Sequence, residues 1–300
     1  MRRPVVVAVL VAPLVWALGA APPTSPAPQQ AARGTAAAKR AAPTPYAAAV
    51  HLSRAIGPRP AASRAERRAH RYVEARFKAS GLATARERFA VPGRGRSRDV
   101  IGVLDTRARC LTILMAHTDS VPPAPGADDN ASGVGVLVAL APRLQPLDPR
   151  CDVWLVATGA EERPYTGRPD HLGAAALVRR VTREHRRGDL RLALSLDEVG
   201  RGGRFFLQSP HARPRPGVEG RILRAARAAG VRVRFAPDPG TGNSDHREFE
   251  LAGLPGAKLG PWGGDEPCRH TRCDTWRRLQ PKTLNRALAI AERVATGRGS

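Results

Sequence analysis

The stretch Met115-Ala-His117-Thr-Asp119-Ser, followed after a Pro- and Gly-rich loop by Gly126-Ala-Asp-Asp129-Asn-Ala-Ser-Gly133, is the most informative part of this sequence. Residues 110–116 form a short apolar run with β-branched members, which is typical of a buried parallel strand and too short for a helix. His117 and Asp119 therefore end a strand. Open α/β sheets bind ligands just outside the carboxyl ends of their strands, so we expect an imidazole and carboxylates here to carry chemistry.

Similar apolar runs recur along the chain, and they alternate between the period of two residues typical of strands and the period of about 3.6 residues typical of helices. We predict further strands at 83–91, 99–105, 153–158, 190–196, 204–208, 231–235 and 256–259, and helices at 46–56, 63–80, 132–140, 172–184, 218–229, 245–251 and 281–295. Strands that alternate with helices indicate an α/β fold in which a mostly parallel central sheet has helices on both faces. We expect a single catalytic domain over residues 43–297.

The amino terminus has the layout of a secretory signal. Arg2-Arg3 precede an apolar run from residue 5 to 21, which ends in small residues around Gly19-Ala20-Ala21. We predict a signal peptide over residues 1–21 and a flexible Ala- and Pro-rich tether over 22–42. An uncleaved membrane anchor is the alternative, although the run is short for a membrane span and contains Pro13.

The net charge of +23 raises the question of a nucleic-acid partner. The basic residues are almost all Arg, spread over the whole length, and Lys occurs only at positions 39, 78, 258 and 282. This distribution is typical of a compositional bias rather than of a basic binding face. We therefore predict no nucleic-acid partner, and we expect a monomer.

The chain has four cysteines, and an exported protein is expected to pair them. Cys268 and Cys273 are close neighbours that would close a loop around His270. Cys110 and Cys151 each open an apolar strand, so their sulfurs can meet if these strands pair in parallel. Two buried free thiols are the alternative for this second pair.

Further metal-ligand residues follow strands or lie in loops, as His117 and Asp129 do. These residues are Glu161-Glu162, Asp197 and His270. Together they supply two imidazoles and four carboxylates. A two-zinc hydrolase needs about five ligands, one of them a bridging carboxylate, and one further carboxylate to take a proton from water.

Six motifs occur in the order His117-Thr-Asp119-Ser, Gly126-Ala-Asp-Asp129-Asn-Ala-Ser-Gly133, Gly159-Ala-Glu161-Glu162, Leu196-Asp197-Glu-Val-Gly200, Ser244-Asp245-His246 and His270-Thr-Arg-Cys-Asp274-Thr275. This ordered set resembles the secreted bacterial dizinc aminopeptidases, a family related to glutamate carboxypeptidase and glutaminyl cyclase. The resemblance extends from residue 46 to the carboxyl end and implies a fold of the zinc-exopeptidase type.

The resemblance also implies a role for each matching position. His117 and Asp197 would hold one zinc ion, Glu162 and His270 the other, and Asp129 would bridge the two. Glu161 would be the general base, and the bond Asp129–Asn130 would be a cis peptide. Asp119 would orient the His117 imidazole.

Two positions depart from the family pattern. Relatives often have a pocket Tyr that stabilises the tetrahedral intermediate, whereas Arg269 stands beside the last ligand here, and Asn243 stands where some relatives have Arg. We predict that Arg269 takes the oxyanion role, with the alternative that the zinc charges drive it out to solvent. His246 has no assigned role, and the other histidines are predicted at the surface: His51, His70, His171, His185 and His211.

These residues lead us to expect a secreted zinc aminopeptidase that binds two zinc ions and acts on peptides with a free amino terminus. One alternative is a glutaminyl-peptide cyclotransferase built on the same scaffold with a single zinc ion. The other is a non-catalytic peptidase-like binding domain, which we would expect to have lost ligands or the base.

Overall fold

The computed structural model describes residues 43–238, 242–262 and 266–297. The predicted signal peptide and tether lie outside the described residues. Eight strands form one mixed sheet in the order β1-β2-β4-β3-β5-β8-β6-β7. The strands are β1 Ala83–Val91, β2 Gly95–Leu104, β3 Leu111–His117, β4 Asp152–Thr158, β5 Leu190–Leu196, β6 Phe205–Ser209, β7 Val233–Pro237 and β8 Gly256–Gly260.

Nine α-helices surround this sheet in the described part of the chain. They are α1 Pro45–Val50, α2 Arg64–Ala79, α3 Gly133–Leu140, α4 Leu144–Leu147, α5 Arg163–Thr166, α6 Leu172–Arg183, α7 Glu219–Ala228, α8 His246–Leu251 and α9 Pro281–Thr296. The sequence did not predict α4 and α5, which span only four residues each. Within the described ranges, no helix combines the length and apolar character that crossing a membrane requires.

The central strand β3 shows why helices cover both faces. All seven of its residues are buried, and successive side chains of a strand point to opposite faces. Leu114 and Ala116 pack into a core with apolar residues of α2, α3 and α9. Ile113 and Met115 pack on the other face with residues of α6 and α8.

Strand direction explains where the predicted site residues meet. β4, β3, β5 and β8 run parallel in the middle of the sheet, so their carboxyl ends share one edge. The pairs β1–β2, β2–β4 and β6–β8 are antiparallel. The sheet is therefore parallel at its centre and mixed overall.

Two disulfides are present in the described part of the chain. Cys110 and Cys151, just before β3 and β4, are bonded to each other, as are Cys268 and Cys273. This confirms the predicted Cys268–Cys273 bond and decides between the two alternatives for the other pair.

Candidate metal centre

His117 ends β3 and is almost completely buried. Its Nδ1 donates to the backbone carbonyl of Asp119 at 3.3 Å, whereas the Asp119 carboxylate lies 3.7 Å away. The main chain therefore makes the closer contact that orients the ring. The other ring nitrogen, Nε2, lies 3.1 Å from Oδ1 of Asp129 and 3.4 Å from Oδ1 of Asp197.

Asp129 lies between the two predicted histidine ligands. Its Oδ1 faces His117, and its Oδ2 lies 3.2 Å from Nε2 of His270. The peptide bond to Asn130 is cis, as the family resemblance implies. Asp274, to which the sequence assigned no role, fixes this loop by accepting hydrogen bonds from the backbone N–H groups of Asp128 and Asp129 at 2.8 and 3.2 Å.

Glu161 and Glu162 follow β4 and reach the same edge of the sheet. The carboxylate of Asp119 accepts from both of their backbone N–H groups at 3.1 to 3.2 Å. Oε2 of Glu162 lies 2.9 Å from Nε2 of His270. Asp119 thus anchors the two glutamates to the strand that carries His117.

The donor atoms form two compact groups that share Asp129. One consists of His117, Asp129 and Asp197, and the other of Asp129, Glu162 and His270; within each, the ligand atoms lie within 4.8 Å of one another. A third group of this kind joins His117, Glu161 and Glu162. Imidazole nitrogens and carboxylate oxygens are the ligands that zinc prefers alongside thiolates. The residues present therefore fit a pair of zinc ions.

Two buried oxygens support this fit. Oδ1 of Asp197 and Oε1 of Glu162 accept no hydrogen bond from the described residues, and Nε2 of His117, 3.4 Å from the first of them, makes only an electrostatic contact. A buried charged oxygen without a partner is costly, and a metal ion would remove that cost.

The histidine protons lead to the same conclusion. Burial opposes protonation of His117, but Glu161 and the neighbouring aspartates raise its pKa well above the ordinary value. Burial likewise opposes protonation of His270, yet Asp129 and Glu162 raise its pKa to about 10. The carboxylates thus attract cations strongly, and a metal ion binds by displacing such protons.

Lys258 is a buried cation that the sequence did not connect with the site. It lies in β8, and its Nζ is 3.0 Å from Oδ2 of Asp197. This contact occupies one carboxylate oxygen and leaves Oδ1, on the side of His117, for a metal ion.

Arg269 lines the pocket but is paired with a carboxylate. Its Nε donates to Oε1 of Glu198 at 2.7 Å, and its Nη2 donates to Oε2 of the same residue. The pair holds the guanidinium in the pocket wall. Its oxyanion role stays a prediction, and Asn243 lines the same pocket.

The surface prediction was wrong for two histidines. His70 and His171 are each only 1% exposed, because α2 turns His70 into the protein and the segment before α6 turns His171 into the pocket. Nε2 of His171 lies 3.0 Å from Oε1 of Glu161. His246 is also buried, and its Nε2 lies 2.7 Å from Oδ2 of Asp238.

A family model matches residues 99–295, and its description is Peptidase family M28. Aminopeptidase YwaD of Bacillus subtilis (strain 168) is 28% identical over 204 residues, which cover 64% of this chain and 42% of that protein. The chain spans half or less of the length of the curated relatives it matches.

Solved structures with the same fold include both kinds of enzyme considered above. BSAP, a zinc aminopeptidase from Bacillus subtilis, matches with a TM-score of 0.74 at 18% identity, over 86% of this chain and 93% of that one. A glutaminyl cyclase from Bacteroides thetaiotaomicron matches with a TM-score of 0.71 at 20% identity, over 84% and 96%. At these identities the likeness establishes the fold.

Proposed function

The chain belongs to peptidase family M28, and from this premise we propose that it is a secreted zinc-dependent aminopeptidase with two zinc ions. The observation that carries the proposal is the position of Asp129, whose two carboxylate oxygens face His117 and His270 separately. A carboxylate shared in this way suits a bridging ligand between two metal ions.

In this proposal each ligand side chain keeps the role that the family resemblance implies. His117 and Asp197 would hold one ion, Glu162 and His270 the other, and Asp129 both. When bound, two zinc ions supply Lewis-acid polarisation of a carbonyl group and lower the pKa of a water molecule.

Glu161 supplies the proton transfer in the proposed reaction. Its side chain lines the same pocket as the ligands but is absent from the two groups that share Asp129. Its carboxylate takes a proton from the attacking water and delivers it to the leaving amine. Asp119 supports this role by fixing the Glu161 backbone.

Export is supported by the two disulfides in the described residues and by the apolar amino-terminal run. Structural disulfides persist in oxidising compartments. We further propose that the protein acts as a monomer on peptides with a free amino terminus.

The deciding experiment measures activity and metal content together. Protein starting at residue 43 is loaded with zinc and tested on a panel of aminoacyl-anilides and on peptides with amino-terminal glutamine. Release of amino-terminal residues with about two zinc ions per chain is expected. Pyroglutamate formation with one zinc ion would replace the proposal by the cyclotransferase alternative, and zinc binding without turnover would favour a binding domain.

A further inference from the structure

His171 contacts Glu161 through both its backbone and its side chain. The backbone N–H of His171 donates to the carbonyl oxygen of Glu161 at 3.1 Å. In the same way, Leu172 donates to Ala160 and Gly173 donates to Gly159, each at 3.0 Å. The imidazole nitrogen Nε2 lies 3.0 Å from Oε1 of Glu161. The main-chain register therefore places the ring beside the carboxylate.

The far side of the His171 ring is also held. Its Nδ1 lies 3.2 Å from Nη1 of Arg247 and 3.4 Å from Oδ2 of Asp170. Asp170 in turn accepts from Arg247 at 3.0 Å and from Nε of Arg163. These contacts restrict rotation of a ring that is itself buried.

The neighbours of the ring determine where its hydrogen lies. An ionised carboxylate only accepts hydrogen bonds and a guanidinium only donates them. Nδ1 of His171 accepts from Arg247 at 3.2 Å, whereas Oδ2 of Asp170 at 3.4 Å makes no hydrogen bond with it. A neutral ring therefore carries its hydrogen on Nε2, towards Glu161. A protonated ring carries a hydrogen on Nε2 as well.

The N–H direction of Nε2 is not yet aligned with the Glu161 oxygen, so Nε2 makes no full hydrogen bond in this structure. Catalytic hydrogen bonds are often poorly aligned without substrate and tighten when it binds. Nε2 of His171 and Oε1 of Glu161 are already 3.0 Å apart, so the bond forms through reorientation of the ring and the carboxylate rather than through a change in their distance.

We propose that His171 is a positioning residue for the proton acceptor: its Nε2–H holds Oε1 of Glu161 and leaves Oε2 to take the proton from water. This inference rests on the proposed function, because it assigns His171 a task in the same proton transfer. It adds a residue outside the predicted ligands and base.

The kinetic test compares His171→Ala with His171→Gln in zinc-loaded protein. We expect the alanine variant to lower kcat at least about tenfold, while KM and zinc content stay within about twofold, because only the orientation of the base is lost. Glutamine retains an N–H donor and should restore most of kcat. Replacement of the exposed His185 by Asn is the matched control.

Unchanged kcat in His171→Ala, loss of zinc from it, or a glutamine variant no better than alanine would each overturn the proposal. A second measurement does not depend on activity. With ¹⁵N-labelled histidine, the Nε2–H signal of His171 should be protected from exchange in the zinc-loaded protein and lose this protection in Glu161→Ala. An unprotected signal overturns the proposal, whereas inactivity of the wild type alone overturns only the proposed function.

Discussion

Nζ of Lys258 lies 3.0 Å from Oδ2 of Asp197, a predicted zinc ligand. Burial lowers the pKa of Lys258, but the carboxylates of Asp197 and Glu198 outweigh it and raise the pKa above its ordinary value, so the side chain is charged. A permanent cation beside a zinc site opposes metal binding. A unit charge and a divalent ion about 5 Å apart repel by about 2 kcal/mol even at the dielectric constant of water.

We therefore predict that Lys258→Met lowers, at least about tenfold, the dissociation constant for the zinc ion that His117 and Asp197 would hold. Competition against a zinc-chelating dye measures this. Lys282→Met, at an exposed position, is the control. A weaker zinc affinity in Lys258→Met would instead mean that the ammonium serves mainly to orient Asp197.

Glu161→Gln should retain the zinc content of the wild type and lower kcat by about 10²–10⁴-fold, because the amide has the same shape but cannot accept a proton from water at neutral pH. Elemental analysis and steady-state kinetics on one preparation check both parts. Activity near that of the wild type would remove Glu161 from the mechanism, and loss of zinc would make it a ligand, as the group His117, Glu161 and Glu162 permits.

Arg269→Ala tests the oxyanion prediction. A donor directed at the developing negative charge is typically worth about 2.7–4 kcal/mol, so we expect kcat to fall at least about tenfold with little change in KM. Arg272→Ala, an exposed arginine of the same disulfide loop, is the matched control. Unchanged kinetics would restrict Arg269 to its ion pair with Glu198.

The pocket wall predicts a preference among substrates. Pro164 is the only apolar side chain that lines the pocket in the described part of the chain. The lining cations Arg163, Lys258 and Arg269 are paired with Asp170, Asp197 and Glu198, respectively. An apolar side chain would bury these charged groups without apolar contacts in return. We therefore expect kcat/KM for an amino-terminal Ser, which can hydrogen-bond to this polar wall, to exceed that for Leu at least about tenfold. A higher value for the leucyl-anilide would contradict this.

Some features of the fold and of the site could be predicted from the sequence and others could not, and the difference has physical causes. Strands β1 and β5 were predicted with their exact bounds, since apolar runs and their periodicity are local signals. The antiparallel pairs β1–β2, β2–β4 and β6–β8 were not predicted, because the hydrophobic pattern of a strand does not encode the direction of its partner. Likewise the ordered motifs named the predicted ligands, which the fold brings to one edge of the sheet.

Contacts that depend on irregular segments of the chain have no comparable periodic signal in the sequence. His171 reaches Glu161 only because the segment over residues 162–170 folds back on itself, and no periodicity reports such a path. Lys258 is different. A lysine inside the predicted buried strand at 256–259 requires an acidic partner, because a buried charge is rarely left unpaired. That signal was present in the sequence, but only the structure identifies the partner as Asp197.

The two disulfides should have separable effects. Cys110 and Cys151 are 41 residues apart, whereas Cys268 and Cys273 are 5 apart and enclose His270. A longer closed loop restricts the unfolded chain more, so double replacement by Ser should lower the free energy of unfolding by about 4 kcal/mol for the first pair and about 2 kcal/mol for the second. Denaturant unfolding of metal-free protein measures these values.

Only replacement of Cys268 and Cys273 should weaken zinc binding, by at least about tenfold, because it frees the loop that carries His270. Equal zinc affinities in the two variants would show that hydrogen bonds within the loop hold His270 without the disulfide.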